Sequence, residues 1–314
     1  MGSEFDQDQF TNPFQLTKTL RRDPYDEILP TNPENSQKGK IIIITGAYGG
    51  IGSAAAQVWA QAGASVVLTG RDPTKLAEAE QKAKEASTDP SATILSIPVD
   101  ITLEADVQAL YTKIHTVFSR PADILLNNAG PQGPIGPSAQ VPFNGFTEVI
   151  NAHFLGAALM SRYFIASQST PHDPTGTIIY VTSGLAGILS PGFAAYSIAK
   201  LAGQRFTEFL DLEYPNLRAF TLLPGIVETG MTNDFFRPFA KDHVGLVGML
   251  ALWLVNDKAD FLRGGLVSVN WDVREMQENM EEIVKKKLLK ISWVPARLQK
   301  GGHPFNAVGE AGKV

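Results

Sequence analysis

Short apolar runs alternate with longer stretches of helical periodicity over most of the chain. Seven runs predict strands, because they are rich in β-branched residues and are bounded by residues that favour turns. They are IIII at 41–44, SVVLTG at 65–70, TILSIPVD at 93–100, DILLNNA at 123–129, TIIYVTS at 177–183, RAFTLLPG at 218–225 and LVSVN at 266–270. The first run is uninterrupted, as expected for a parallel strand buried on both faces. The alternation predicts an α/β fold: one doubly wound Rossmann domain whose sheet has about seven mostly parallel strands flanked by helices.

Both ends of the chain differ from this central region, which we expect to form the Rossmann domain over 39–273. MGSEF at 1–5 is typical of an expression-vector leader, and 6–38 are polar and rich in proline, with isolated aromatic residues. This N-terminal extension either wraps the domain as an arm or stays loosely ordered. Residues 274–289 have a helical pattern, so we interpret 274–314 as a C-terminal helix and a tail.

The amino-acid composition mainly excludes classes of partner and of functional site. A net charge of −5 and a pI near 5.6 disfavour a nucleic-acid partner. The absence of cysteine excludes disulfides, cysteine nucleophiles and thiolate ligands, and the five histidines lack ligand spacing, so we predict no metal. No apolar run approaches the roughly 20 residues of a membrane span, and no secretory signal is visible. We therefore expect no membrane partner and a cytoplasmic location.

A glycine-rich turn follows the first predicted strand. TGAYGGIG at 45–52 leads into an alanine-rich helical stretch and then into the second strand, the order of a βαβ unit. Gly46, Gly50 and Gly52 lack the Cβ that would block a pyrophosphate, and a helix that begins near Ile51 points its first amides at that anion. The pattern predicts a dinucleotide site, although a lone glycine cluster is also compatible with an ordinary tight turn.

The string YSIAK at 196–200 carries the most specific chemistry. A tyrosine hydroxyl, with an ordinary pKa of about 10, needs a nearby cation to act as an acid or base. Tyr196 and Lys200 are four residues apart and share one helix face. Such a pair is often only a half-buried tyrosine beside a solvated lysine. Here Ser183 and the glycine turn precede it, and together they favour catalysis.

These motifs resemble the short-chain dehydrogenase/reductase family over about 40–273. The marks are TGAYGGIG, NNAG at 127–130, Ser183, YSIAK and PGIVET at 224–229. The resemblance implies an oxidoreductase that moves a hydride between a nicotinamide and a ketone or secondary alcohol. NWDV after the last strand is similar to a fungal type of carbonyl reductase. The family also implies a homodimer or homotetramer, formed through helices near 105–118 and 145–168.

The resemblance assigns a role to each catalytic residue. Tyr196 donates the proton, Ser183 hydrogen-bonds the carbonyl oxygen, and Lys200 lowers the tyrosine pKa and binds the nicotinamide ribose. Many members carry an asparagine that anchors a relay water, but this chain has His153 there, and Asn151 falls on another helix face. His153 either relays protons near neutral pH, as a fourth catalytic residue, or satisfies a backbone carbonyl in the core.

The end of the second strand predicts the cofactor. Where NAD-preferring members carry aspartate, this chain has Gly70 followed by Arg71, whose guanidinium suits a 2′-phosphate, while Asp72 is placed to cap the next helix. We therefore expect NADP(H), with Arg71 providing most of the discrimination. The cofactor set implied by the resemblance is Gly46, Tyr48, Gly50, Ile51, Gly52, Arg71, Asp100, Asn128, Gly130, Tyr196, Lys200, Pro224, Val227 and Thr229.

The loop after the sixth strand indicates the class of substrate. Phe235, Phe236 and Phe239 are crowded into the segment 230–247, which forms the substrate lid in the family. Such a lid suits a lipophilic ketone, including a specialised metabolite, unless the rings pack onto the body or across a subunit contact. Two other functions stay open: a redox-neutral isomerisation or epimerisation on the same fold, and a non-catalytic NADP(H)-binding role.

Overall fold

A computed structural model describes residues 6–292, and within that range seven strands form one sheet. The strands are β1 Ile41–Thr45, β2 Ser65–Gly70, β3 Ile94–Pro98, β4 Ile124–Asn127, β5 Thr177–Val181, β6 Arg218–Leu223 and β7 Leu266–Ser268. Their order in the sheet is β3-β2-β1-β4-β5-β6-β7, and every neighbouring pair is parallel. The prediction of a doubly wound sheet is confirmed.

Helices cover both faces of this sheet. The described range contains α1 Gly50–Gln61, α2 Pro73–Ala86, α3 Glu104–Phe118, α4 Phe143–Ile150, α5 Gly156–Ser167, α6 Ala194–Glu213, α7 Leu246–Leu254, α8 Val273–Glu278 and α9 Met280–Lys286. Side chains alternate across a strand, so Ile42 and Ile44 pack into the core beneath α1, α2 and α7. Ile41 and Ile43 pack into the core beneath α3, α5 and α6. The all-apolar β1 therefore supplies both cores.

The strand order reverses between β1 and β4, which lie side by side at the centre of the sheet. Chain segments leave the carboxyl ends of these two strands in opposite directions and open a crevice there. Asp72 caps α2, as the sequence predicted: its Oδ1 accepts from the amides of Thr74 and Lys75 at 3.0 and 3.1 Å. This cap fixes the first turn of α2 beside the crevice.

Both extensions pack against the domain. Leu20 bridges to Trp271, the amide of Arg21 donates to the Asn270 carbonyl at 2.9 Å, and Tyr25 and Ile28 are buried in the core beneath α1 and α7. The single helix predicted for 274–289 is instead α8 and α9. Asn279, whose ψ of 17° leaves the helical range, separates them. The proposed vector leader at 1–5 and the tail from 293 lie outside the described residues.

One continuous helical stretch, Phe143–Ser167, is long and apolar enough to cross a membrane, with a mean hydropathy of 1.2. Several of its apolar side chains are buried within the fold, although Phe143 and Leu155 are exposed. Met160 and Phe164 are fully buried in the core beneath α3 and α6, and Val149 packs with Ala195 and Ala199. We therefore interpret the stretch as a flanking helix of the sheet.

Candidate active site

The glycine turn after β1 is built to bring the backbone of two strand ends together. Gly46 has φ +65°, and a Cβ there would lie 2.8 Å from the Cα of Ala129, which follows β4. Asn128 fixes this contact, because its amide Nδ2 donates to the Thr45 carbonyl at 3.0 Å and its backbone N–H donates to the Thr45 hydroxyl at 2.9 Å. The first glycine thus serves the packing of the turn as well as ligand access.

A cavity of about 860 Å³ begins at this turn and runs along the carboxyl ends of the strands. Among the predicted cofactor residues it is lined by Gly46, Tyr48, Gly50, Ile51, Gly52, Arg71, Asp100, Asn128, Gly130, Tyr196, Lys200, Pro224 and Thr229. Val227 does not line it; this side chain is buried, and its carbonyl accepts from the Thr232 hydroxyl at 2.7 Å. His153 lines the cavity; Ser183 does not line it but interacts with Tyr196, which does.

Sequence reasoning missed several side chains that line the same cavity. They are Lys75, Thr102, Asn144, Thr147, Glu148 and Met231. Only Lys75 carried a usable signal, because it follows Arg71 by four residues at the start of the helix after the discriminating strand. The others come from segments that enter the site only through tertiary packing.

The cavity end near β2 is basic. Arg71 and Lys75 both line it, and the Lys75 Nζ lies 5.9 Å from the centroid of the Tyr48 ring. The ring of Tyr48 occupies the space over Gly70, where a Cβ would lie 2.5 Å from its Cε1. Lys75 adds a second cation to this end of the cavity, and its Nζ also pairs with Asp72 at 3.7 Å. That Arg71 provides most of the discrimination stays a prediction.

The catalytic side chains meet at the other end of the cavity. Tyr196 lies in the first turn of α6, and Lys200, one turn later, places its Nζ 5.7 Å from the centroid of the Tyr196 ring. Ser183, which follows β5, hydrogen-bonds Tyr196. The Lys200 Nζ donates to the Val181 carbonyl at 2.7 Å. The end of β5 and one helix, α6, thus hold the three residues together.

Burial decides the protonation of this group. It raises the pKa of Tyr196, against a smaller lowering by the hydrogen bond with Ser183, and it lowers the pKa of Lys200 to about 7. The lowered tyrosine pKa expected from Lys200 is contradicted in this structure. Lys200 is itself desolvated and directed at Val181, so it does not offset the burial of the phenol.

His153 lies in a π-helical turn, Asn151–Leu155, between α4 and α5. Its Nε2 lies 2.6 Å from the Pro131 carbonyl oxygen, and its ring meets Tyr196 edge to face at 5.0 Å between centroids. Burial and the nearby Lys200 lower the histidine pKa to about 3. An imidazole with this pKa is neutral at neutral pH, and its role as a proton relay stays a prediction. The alternative, a histidine that satisfies a backbone carbonyl, is what the structure shows.

Gly130 is the residue that makes room for this imidazole. It has φ +155°, and a Cβ there would lie 2.1 Å from His153 Cε1. Gly130→Ala is expected to lower the free energy of unfolding by about 1–3 kcal/mol, through overpacking and backbone strain. Chemical denaturation of both proteins measures the change. Gly130→Ala should cost less stability when it is introduced into His153→Ala than into the wild type, because the imidazole that it meets is then absent. An equal cost in both backgrounds would refute the clash.

Comparison with known proteins identifies the family of this chain. A family model described as short chain dehydrogenase matches residues 40–238. The chain belongs to the short-chain dehydrogenase family. It is 31% identical over 286 residues to short chain dehydrogenase mpl6 from Monascus purpureus, an alignment that covers 89% of this chain and 96% of that one. It is 30% identical to short chain dehydrogenase andI from Emericella variicolor, covering 81% and 89%.

The structure agrees with that assignment. A short chain dehydrogenase from Bacillus anthracis superposes with a TM-score of 0.65 and 27% identity, covering 77% of this chain and 97% of that one. This short-chain dehydrogenase is thus of a type found in fungi, and it is an oxidoreductase that acts on hydroxyl and carbonyl groups with NAD(P)(H).

The residues present fit that cofactor. The first turn of α1, whose leading amides lack intrahelical acceptors, lines the cavity with Gly50, Ile51 and Gly52. A Cβ at Gly52 would lie 2.3 Å from the Gly46 carbonyl oxygen, so the first turn of α1 packs this closely against the glycine turn only because glycine is there.

Proposed function

We propose that this short-chain dehydrogenase uses NADP(H), in preference to NAD(H), to interconvert a lipophilic ketone and its secondary alcohol. The observation that carries the proposal is one cavity with two chemically distinct ends. Arg71 and Lys75 line the end near β2, and Tyr196 and Lys200 line the other. A cationic pair suits a phosphate monoester, and the tyrosine supplies the proton that carbonyl reduction needs.

The residues divide the acid-base work as follows. When bound, the nicotinamide supplies or accepts the hydride. Tyr196, whose raised pKa keeps its hydroxyl protonated at neutral pH, donates a proton to the carbonyl oxygen. Ser183 holds that oxygen by a second hydrogen bond, and the charge that develops there is stabilised by both hydroxyls. Lys200 holds the nicotinamide ribose, and neutral His153 packs against the edge of the tyrosine and fixes its position.

The lid supports an apolar substrate. Phe239 is buried, Phe236 is half-buried, and Phe235 is 63% exposed, so the segment offers aromatic surface as well as an anchor to the body. The packing of Phe239 onto the body agrees with one sequence interpretation of these rings, and their role as a substrate lid stays a prediction. The substrate class is a lipophilic carbonyl compound, of the size and polarity found among specialised metabolites. The place of action we propose is the cytoplasm, without membrane or nucleic-acid partners.

A side-by-side titration with NADPH and NADH tests the proposal, followed by the absorbance of the tighter cofactor against a panel of cyclic and aromatic ketones. Tighter binding of NADPH with ketone-dependent oxidation supports it. Tight cofactor binding, with conversion of the substrate that needs the cofactor but does not oxidise NADPH overall, would favour the redox-neutral alternative. Cofactor binding without conversion of any substrate would favour the non-catalytic role. Failure to bind either cofactor would reject the proposal altogether.

We also propose a homo-oligomer, a dimer or tetramer, formed through the stretch 145–168 and through α6, in place of the helix near 105–118 that the resemblance implies. Apolar side chains follow one exposed stripe of α6, at Ile198, Leu201, Phe209 and Leu212, and Leu212 is 75% exposed. Light scattering after gel filtration should give a mass of at least two 34.0 kDa chains. Leu212→Glu should shift the mass toward one chain. A wild-type monomer would refute the oligomer.

A further inference from the structure

The N-terminal extension reaches the substrate lid. The ring of Phe10 meets Phe235, Phe236 and Phe239 edge to face, with centroids 5.8, 5.3 and 4.8 Å apart. Each geometry is the favourable arrangement for aromatic pairs. Phe10 is separated from these rings by more than two hundred residues of sequence, and it joins all three lid phenylalanines into one cluster.

The same cluster continues to the catalytic helix. Phe236 lies 6.3 Å from Phe193, which directly precedes α6 and stands three residues before Tyr196. A second arm ring, Phe14, covers the loop that follows Ser183: a Cβ at Gly184 would lie 2.9 Å from the Phe14 Cε2. The two arm rings thus contact the lid on one side and the loop after the catalytic serine on the other.

Buried polar contacts hold the arm in this position. Arg22 pairs with Asp242 at 2.8 Å, and the Asp242 side chain is 0% exposed. The Oδ2 of that carboxylate accepts from the Ile226 amide at 2.6 Å, inside PGIVET. Trp271 donates its Nε1–H to the Phe14 carbonyl at 2.6 Å. The arm is therefore tied both to the segment beside the cofactor cavity and to the end of β7.

We propose that residues 6–25, the arm, form one wall of the substrate site, and that Phe10 and Phe14 determine its specificity for flat apolar carbonyl compounds. This inference rests on the proposed function. Three segments adjoin Tyr196 and Ser183: the lid, the start of α6 and the loop after Ser183. Phe10 contacts the lid and Phe14 contacts the loop, while Phe236 links Phe10 to Phe193 at the start of α6. Phe10 and Phe14 are only half-buried, so ring surface remains for a ligand to pack on.

Steady-state kinetics at saturating NADPH test this with two probes, acetylnaphthalene as the flat aromatic ketone and cyclohexanone as the small one. Phe10→Ala and Phe14→Ala are each expected to raise the KM for acetylnaphthalene about tenfold, the effect of losing one aromatic contact. The KM for cyclohexanone and the Kd for NADPH should stay within about twofold. Leu16→Ala is the matched control, because it removes an apolar arm side chain outside the aromatic cluster.

Two kinetic outcomes would overturn the proposal. An unchanged KM for acetylnaphthalene in both phenylalanine variants would show that the rings do not touch the substrate. Equal losses for both probes, accompanied by weaker NADPH binding, would show that the arm only supports the fold. Either result leaves the proposed reductase intact, provided that the wild type oxidises NADPH with these ketones.

A binding measurement keeps the test independent of turnover. The chain contains no cysteine, so Phe10→Cys and Leu16→Cys each introduce a single thiol. With NADPH present, acetylnaphthalene should slow labelling of the thiol at position 10 several-fold and leave that at position 16 unchanged. The ketone is added at a concentration that shifts the Tm of the wild-type complex. If labelling at position 10 is then equally fast with and without the ketone, the arm is not a substrate wall. This outcome can be read even if the enzyme does not turn the ketone over.

Discussion

Tyr196→Phe is expected to lower turnover with a ketone by about 10²-fold or more, while the Kd for NADPH stays within about twofold. The substitution keeps the ring, and with it the edge-to-face contact to His153, but removes the proton that the carbonyl oxygen must receive. Burial holds the tyrosine pKa above its ordinary value, so in the native enzyme the hydroxyl is protonated at neutral pH. Steady-state kinetics and a fluorescence titration of NADPH measure the two quantities.

Tyr163→Phe is the matched control. Its hydroxyl lies on α5 and donates to Glu104 at 3.1 Å, near the surface and away from the cavity lining, so turnover should not change. Equal turnover in wild type and Tyr196→Phe would reject Tyr196 as the proton donor. A parallel loss of NADPH affinity would instead mean that the phenol holds the cofactor.

Arg71→Ala is expected to raise the Kd for NADPH by about 10- to 100-fold and the Kd for NADH less than about twofold. The physical reason is that a hydrogen bond to a charged group contributes about 1.5–3 kcal/mol, and only NADPH carries the additional phosphate. Lys75→Ala should produce a smaller shift in the same direction, because an ammonium is a single point charge rather than a fork. Titration of each variant with both cofactors gives the selectivity ratios.

The double variant Arg71→Ala/Lys75→Ala should bind the two cofactors with similar affinity. Lys84→Ala serves as the control, since Lys84 lies on the same helix, pairs with Glu80 and does not line the cavity. Equal losses for NADPH and NADH in Arg71→Ala would refute the preference for NADP(H). An effect of Lys84→Ala as large as that of Lys75→Ala would show that net charge, not a phosphate contact, produces the shift.

The strands, the glycine turn and the catalytic helix could be predicted because each is specified by neighbouring residues. β-branched runs bounded by turn residues define strands, and a spacing of four places Tyr196 and Lys200 on one helix face wherever that helix packs. The capping of α2 by Asp72 is equally local. Such features depend on backbone geometry, which the adjacent sequence controls.

Protonation and the extent of the site depend instead on which distant segments pack together. Burial by several elements lowers the pKa of His153 to about 3 and raises that of Tyr196, and no local pattern gives the desolvation. Lys75 reaches the cavity only because α2 starts beside the reversal of strand order. The sequence by itself determined the fold class and the family, and it supplied the predicted catalytic set. Tertiary packing decided the charge states and the docking of Phe10 on the lid, because both arise from contacts between residues far apart along the chain.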